Sequence, residues 1–184
     1  MPPVTLLIKN LSVLQITDFY HIFSGNHHAR LIRRSVMADV EGLKREAGIT
    51  ACGFVRSGMS LGLGTGSTVR YTIIEIGRMI SEDGIDVVGV PTSESTRELA
   101  ESLGIPLIPI SEVNRLDLTI DGADEFDPEF SLIKGGGGAL TREKEVAMIS
   151  DSMIVVADDR KKVPVLGEFD LPIEVSPNKW KEVS

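Results

Sequence analysis

Cysteine is nearly missing from this sequence. Cys52 is the single one among 184 residues, so no internal disulfide forms and a disulfide-stapled scaffold is excluded. Long apolar runs are missing as well: none approaches the roughly 18 residues that a membrane-spanning helix needs. Basic residues are scarce relative to acids. Nineteen Lys and Arg stand against 27 Asp and Glu, a formal net charge of −8, which argues against nucleic acid or an anionic membrane as the main partner. Histidine ends early: His21, His27 and His28 all lie in the first 36 residues. What is present is ordinary for a globular chain, with 42% hydrophobic and 25% charged residues. Wholesale disorder is excluded, and the length suits one domain with a sizeable core.

Residues 1–36 differ from the rest. They carry Lys9, Arg30, Arg33 and Arg34 against Asp18 alone, whereas the remainder is strongly acidic. A basic start followed by a clean apolar stretch is absent, which argues against a secretory signal. Two readings stay open for this segment: an organellar transit peptide, or an over-long start with Met37 opening the domain. The run Met37-Ala38-Asp39-Val40, leading straight into a helical pattern, favours the second. We therefore take 1–36 as an extension, 37–177 as the domain and 178–184 as a tail.

Along the domain, apolar residues at three- and four-residue spacing predict helices over 39–55, from about Val69 to a stop at Gly84, from a Ser93 or Ser95 cap to Leu103, and over 139–149. Short apolar runs predict strands over 59–63, 86–90, 105–110, 116–120, 131–133 and 153–157. Strands alternating with amphipathic helices mean βαβ units and a parallel sheet. Ligands of such sheets bind beyond the carboxyl ends of the strands. Three unusual loops, 62–68, 121–125 and 134–138, follow predicted strands and should converge on one edge.

The first loop, Gly62-Leu63-Gly64-Thr65-Gly66-Ser67-Thr68, joins a strand to a helix capped by Ser67 or Thr68. Glycines let a ligand approach the backbone, and the helix start offers free N–H groups, so this is a phosphate cradle or else a tight turn with an ordinary cap. It lacks the Lys of a Walker A loop and the third glycine of a dinucleotide fingerprint. The second loop gathers Asp121, Asp124 and Glu125, suited to acid–base work or a divalent metal, or equally to a solvated acidic turn. Without a nearby histidine, only an all-oxygen Mg²⁺ site stays open. The third loop follows Lys134 with four glycines. A compact cation and free amides steady an oxyanion or a phosphate; the plain alternative is a flexible linker. Glu143 sits on the apolar stripe of the next helix with Leu140, Val146 and Ala147. It is either a carboxylate tuned upward by burial, fit to abstract a proton beside a carbonyl, or a helix-capping Glu. Cys52, beside Ala51, reads as a buried structural thiol. Lys161 and Lys162 read from pattern alone as solvated.

The three loops, in this order and spacing and together with Ala139-Leu140-Thr141-Arg142-Glu143-Lys144, resemble type A ribose-5-phosphate isomerase. The likeness runs from about Asp39 to Pro177 and includes a strand over 171–175. It implies an α/β fold, a Rossmann-like open, mostly parallel sheet flanked by helices, with the family's small α+β lid domain absent or incomplete in these residues. It implies interconversion of ribose 5-phosphate and ribulose 5-phosphate without a metal or other cofactor. The implied partners are a sugar phosphate and further copies of the chain, as a cytoplasmic dimer or tetramer, with no nucleic acid and no membrane. By the same likeness Glu143 is the base. Asp121 and Asp124 handle ring opening and hydroxyl protons, and Lys134 stabilises the enediolate. Thr65, Gly66, Ser67, Thr68, Gly122, Ala123, Gly135, Gly136, Gly137 and Lys161 contact the substrate, with Lys44 near the phosphate. A non-catalytic sugar-phosphate sensor or an inactive fragment is the alternative, and a nicotinamide-dependent dehydrogenase a third.

Overall fold

The computed structural model describes residues 40–174 and, as backbone, the strands 5–9 and 14–15. Residues 16–39 and 175–184 lie outside the described residues, and with them the expected boundaries at 36/37 and 177/178. Six strands form the main sheet: β1 Thr5–Lys9, β2 Leu14–Gln15, β3 Ser60–Leu63, β4 Val88–Pro91, β5 Leu118–Asp121 and β8 Met153–Ala157, in the order β2-β1-β8-β5-β3-β4. β4, β3, β5 and β8 run parallel. β1 lies antiparallel along β8, from Thr5 opposite Ala157 to Lys9 opposite Met153. Part of the segment set aside in the sequence thus extends the sheet beyond β8.

Strands buried on both faces of a parallel sheet must be apolar throughout. β5 is buried at all four positions, and β8 at all but Met153. Leu61, Leu63, Ile120 and Ile154 meet Ile73 and Ile76 of helix α2 (Val69–Asp83) and Ala51 of α1 (Val40–Cys52) in one core. Helix α3 (Glu94–Ser102) starts at Ser93, whose hydroxyl accepts the Thr96 N–H at 3.2 Å. Helix α4 spans Leu140–Met148.

Two expected strands do not form, and a third forms outside the main sheet. Residues 105–110 form no strand: Pro106 and Pro109 cannot donate to a ladder. The segment makes only a bridge between Leu107 and Gly89 before a 3₁₀ turn at Ile110–Glu112. Leu132–Ile133 (β7) does not join the main sheet; it pairs antiparallel with Glu125–Phe126 (β6) as a separate hairpin. Its anchor is Phe126, buried against Val155 and Ala157. Residues 171–174 form no strand either, and Leu171 and Ile173 are exposed.

Candidate active site

Parallel strands deliver their carboxyl ends to one side, and the cleft lies there. It is lined by Thr65, Gly66, Ser67 and Thr68 after β3, Gly122, Ala123 and Asp124 after β5, Lys134, Gly135 and Gly137 after β7, Glu143 of α4, and Lys161. Val69, Val156, Ala157 and Asp158 complete the wall. Three of the residues that the resemblance implicates do not line it. Asp121 is wholly buried behind the lining, and Gly136 donates its N–H to Asp124 Oδ2 at 2.7 Å. Lys44 is likewise elsewhere, on α1, with its ammonium 2.8 Å from Glu41.

The joint between the first two loops is a close backbone approach. A Cβ at Gly64 would lie 2.3 Å from Asp121 Oδ1 and 2.5 Å from Asp121 Cα. Glycine lets Asp121 Oδ1 accept the N–H groups of Thr65 at 2.9 Å and Gly122 at 2.7 Å. The Thr65 hydroxyl lies 2.7 Å from that of Thr92, and Thr96 donates to the Gly64 carbonyl at 2.8 Å. Contrary to expectation, Thr68 does not cap α2: its backbone is already helical and its side chain makes no cap bond. Among the described residues, no internal partner takes the amides of Ser67 and Thr68, which stand at the positive end of a 15-residue helix.

The β6–β7 hairpin brings the second and third loops together. Asp124 N–H donates to the Ile133 carbonyl at 2.8 Å, so Lys134 emerges beside the acidic loop. Its ammonium donates to the Gly122 carbonyl at 2.5 Å. It also stands 2.9 Å from Asp121 Oδ2 and 3.1 Å from Glu143 Oε2. Both carboxylate oxygens are buried and meet the ammonium as ion pairs rather than as aligned hydrogen bonds. Gly135 and Gly138 adopt φ of +98° and +73°, a conformation that favours glycine, and Gly138 N–H closes the turn onto the Gly135 carbonyl at 2.9 Å.

Glu143 points inward from the first turn of α4 and is 4% exposed. Burial pushes its carboxyl above the ordinary value of 4.5, the nearby Asp121 adds to the rise, and Lys134 opposes it. A buried carboxylate made more basic, beside an ammonium and in one cleft with free helix-start amides, has the groups to move a proton next to a carbonyl, steady the resulting oxyanion and hold a terminal anion.

Asp158 and the Thr92–Thr96 pair were not singled out in the sequence. Asp158 follows β8 directly and Thr92 follows β4, so the carboxyl-end rule was the available signal. The Arg160 guanidinium, 2.7 Å away, holds the Asp158 carboxyl below its ordinary value. Among the described residues, no three His, Cys, Asp or Glu side chains converge as a metal-binding group, and no helix is long and apolar enough to cross a membrane.

Residues 88–184 match the family model for ribose 5-phosphate isomerase A (phosphoriboisomerase A). The chain is 56% identical over 139 residues to the ribose-5-phosphate isomerase A of Bradyrhizobium diazoefficiens, covering 76% of this chain and 57% of that protein. It therefore spans less than two thirds of that relative's length. The ribose 5-phosphate isomerase A of Methanocaldococcus jannaschii superposes with a TM-score of 0.72 at 40% identity, over 78% of this chain and 64% of that one. A D-ribose-5-phosphate isomerase solved in complex with phospho-erythronic acid also gives 0.72, at 42% identity, over 78% and 63%.

Proposed function

The chain belongs to the ribose 5-phosphate isomerase A family, and from that premise we propose that it interconverts D-ribose 5-phosphate and D-ribulose 5-phosphate through a cis-enediol(ate). The phosphate is held at the Ser67 and Thr68 amides, with Lys161 on the same cleft. Glu143 takes the proton from C2 of the open aldose and returns it to C1, and negative charge on the substrate oxygen builds beside Lys134. Asp124, which lines the cleft, exchanges the hydroxyl proton of ring opening. Asp121 acts from behind, by holding the Thr65 amide and the Lys134 ammonium. The phosphorylated sugar acid bound by a solved relative supports a cleft of this chemistry.

One observation carries this reading: a buried Glu143 oxygen lies 3.1 Å from the ammonium that also faces Asp121. The test is ribulose 5-phosphate formation in EDTA, wild type beside Glu143→Gln. We expect turnover that survives EDTA and falls at least about 10²-fold in the variant, the low end for losing a general base. A near-normal rate in the Gln variant refutes the assignment. Sugar-phosphate binding without any turnover replaces it with a sensor. The same reading takes 37–177 as the catalytic unit of a cytoplasmic homo-oligomer, and light scattering on the purified protein measures the assembly.

A further inference from the structure

Glu125 is the acid of the second loop that the cleft does not use. It is 3% exposed, on β6, next to Asp124 in sequence. Burying a carboxyl group is costly unless its oxygens are hydrogen-bonded. Here the partners come from more than forty residues away: Oε2 accepts the Gly167 N–H at 2.8 Å, and Oε1 accepts the Phe169 N–H. The same hairpin takes the Val163 N–H on the Phe126 carbonyl at 2.9 Å. At its far end the segment reaches α4, where Glu174 Oε2 accepts the Thr141 N–H at 2.7 Å. Residues 163–174 are thus a strap, tied to β6 at one end and to the start of the Glu143 helix at the other.

The strap presses on the third loop. A Cβ at Gly136 would lie 2.7 Å from Phe169 Cζ and 2.9 Å from Asp124 Oδ1. The Phe169 ring and the Asp124 carboxylate therefore both crowd the place where a Gly136 side chain would begin. An apolar residue at 125 would fill the space but leave two amides of the strap without their acceptor. We propose that Glu125 is a positioning residue: it fixes the strap backbone so that Phe169 holds the Gly136 amide on Asp124. The proposal rests on the isomerase reading only for its kinetic consequence.

The experiment uses the whole chain with Glu125→Gln, Phe169→Leu and the double variant. An amide side chain offers one acceptor oxygen, so Gln restores at most one of the two bonds. Hydrogen exchange is followed on peptides covering 163–170 and 134–139, beside kcat and KM for ribose 5-phosphate. Glu125→Gln is expected to speed exchange in both peptides and to lower kcat about tenfold with KM little changed, as for a displacement well under 1 Å at the reacting groups. Phe169→Leu, on a partly exposed ring, should speed exchange in 134–139 and lower kcat while leaving the Gly167 amide protected. In the double variant the losses should be less than additive. Faster exchange in 163–170 alone, with 134–139 and kcat unchanged, overturns the proposal. Should Glu125→Gln fail to fold, Phe169→Leu with unchanged exchange in 134–139 overturns it equally. If the wild type does not turn over ribose 5-phosphate, the isomerase reading fails, and the exchange results still decide the positioning role.

Discussion

Replacing Gly64 by alanine tests whether the cleft depends on the contact between its first two loops. The added carbon would sit 2.5 Å from both Cα and Cγ of Asp121. Carbon atoms settle at about 3.5–4.0 Å, so the ends of β3 and β5 must part by about 1 Å. Neither end is free to yield. Gly64 donates to the Ile120 carbonyl at 2.9 Å and accepts from Thr96 at 2.8 Å, and β5 lies between β3 and β8. The displacement goes into the Thr65–Asp121 bond and from there to Lys134. Misplacing reacting groups by about 1 Å costs about 10²-fold in rate, and overpacking of this kind costs about 1–3 kcal/mol. For a chain of this length, that is a fall in Tm of about 2–12 °C. The assay is kcat/KM for ribose 5-phosphate on protein shown to be folded, beside thermal unfolding followed by circular dichroism. Gly77→Ala is the control. Its Cβ crowds Leu103 Cβ at 2.9 Å on the far part of α2, so it perturbs packing without lowering kcat/KM. A folded Gly64→Ala protein with wild-type turnover would show that the Asp121–Thr65 contact does not organise the site.

Three other outcomes follow from the same geometry. Because Glu143 binds its proton more tightly folded than unfolded, its contribution to stability falls as pH rises from the ordinary 4.5 through the raised folded value. Glu143→Gln should therefore gain Tm on the wild type at neutral pH and lose that gain below the ordinary carboxyl range; equal Tm differences at both pH values would contradict this. Lys134→Arg should not rescue function, because a planar fork cannot replace a compact ammonium set among Gly122 O, Asp121 and Glu143. We expect a loss of about 10²–10³-fold, as for removal of an oxyanion donor; kinetics within tenfold of wild type would refute the placement. Cys52 is 3% exposed and burial pushes its thiol up to about 12. Iodoacetamide should label it only in denaturant, as intact mass would show, and rapid native labelling would contradict the packing.

The strand β8 was legible to the residue because an unbroken apolar run lies between polar neighbours. The three loops were legible because glycines, hydroxyls and acids recur after strands. Other features depended on long-range pairing that local pattern does not carry. Glu125 reads in sequence as one more acid in a turn; only the β6–β7 register turns it inward toward Gly167 and Phe169. The burial of Asp121, which separates it from Asp124, follows from the close approach of Gly64. The expected strand at 105–110 put apolar content above the two prolines that forbid a ladder. The place of Thr5–Lys9 in the sheet, between β2 and β8, could not be read from composition, which set that segment apart.

The Lys134 ammonium is matched by two carboxylates, so it presents no net positive charge to an arriving anion. The chain as a whole carries −8. On the proposed reading, a phosphate ester approaches against the long-range field and meets attraction at close range, from Lys161 and the amides at the start of α2. Salt ordinarily slows the capture of charged ligands by proteins that steer them. Here screening over a Debye length of about 8 Å at physiological ionic strength weakens the repulsion first. The encounter rate should rise with added salt while the dwell time of the bound ester shortens.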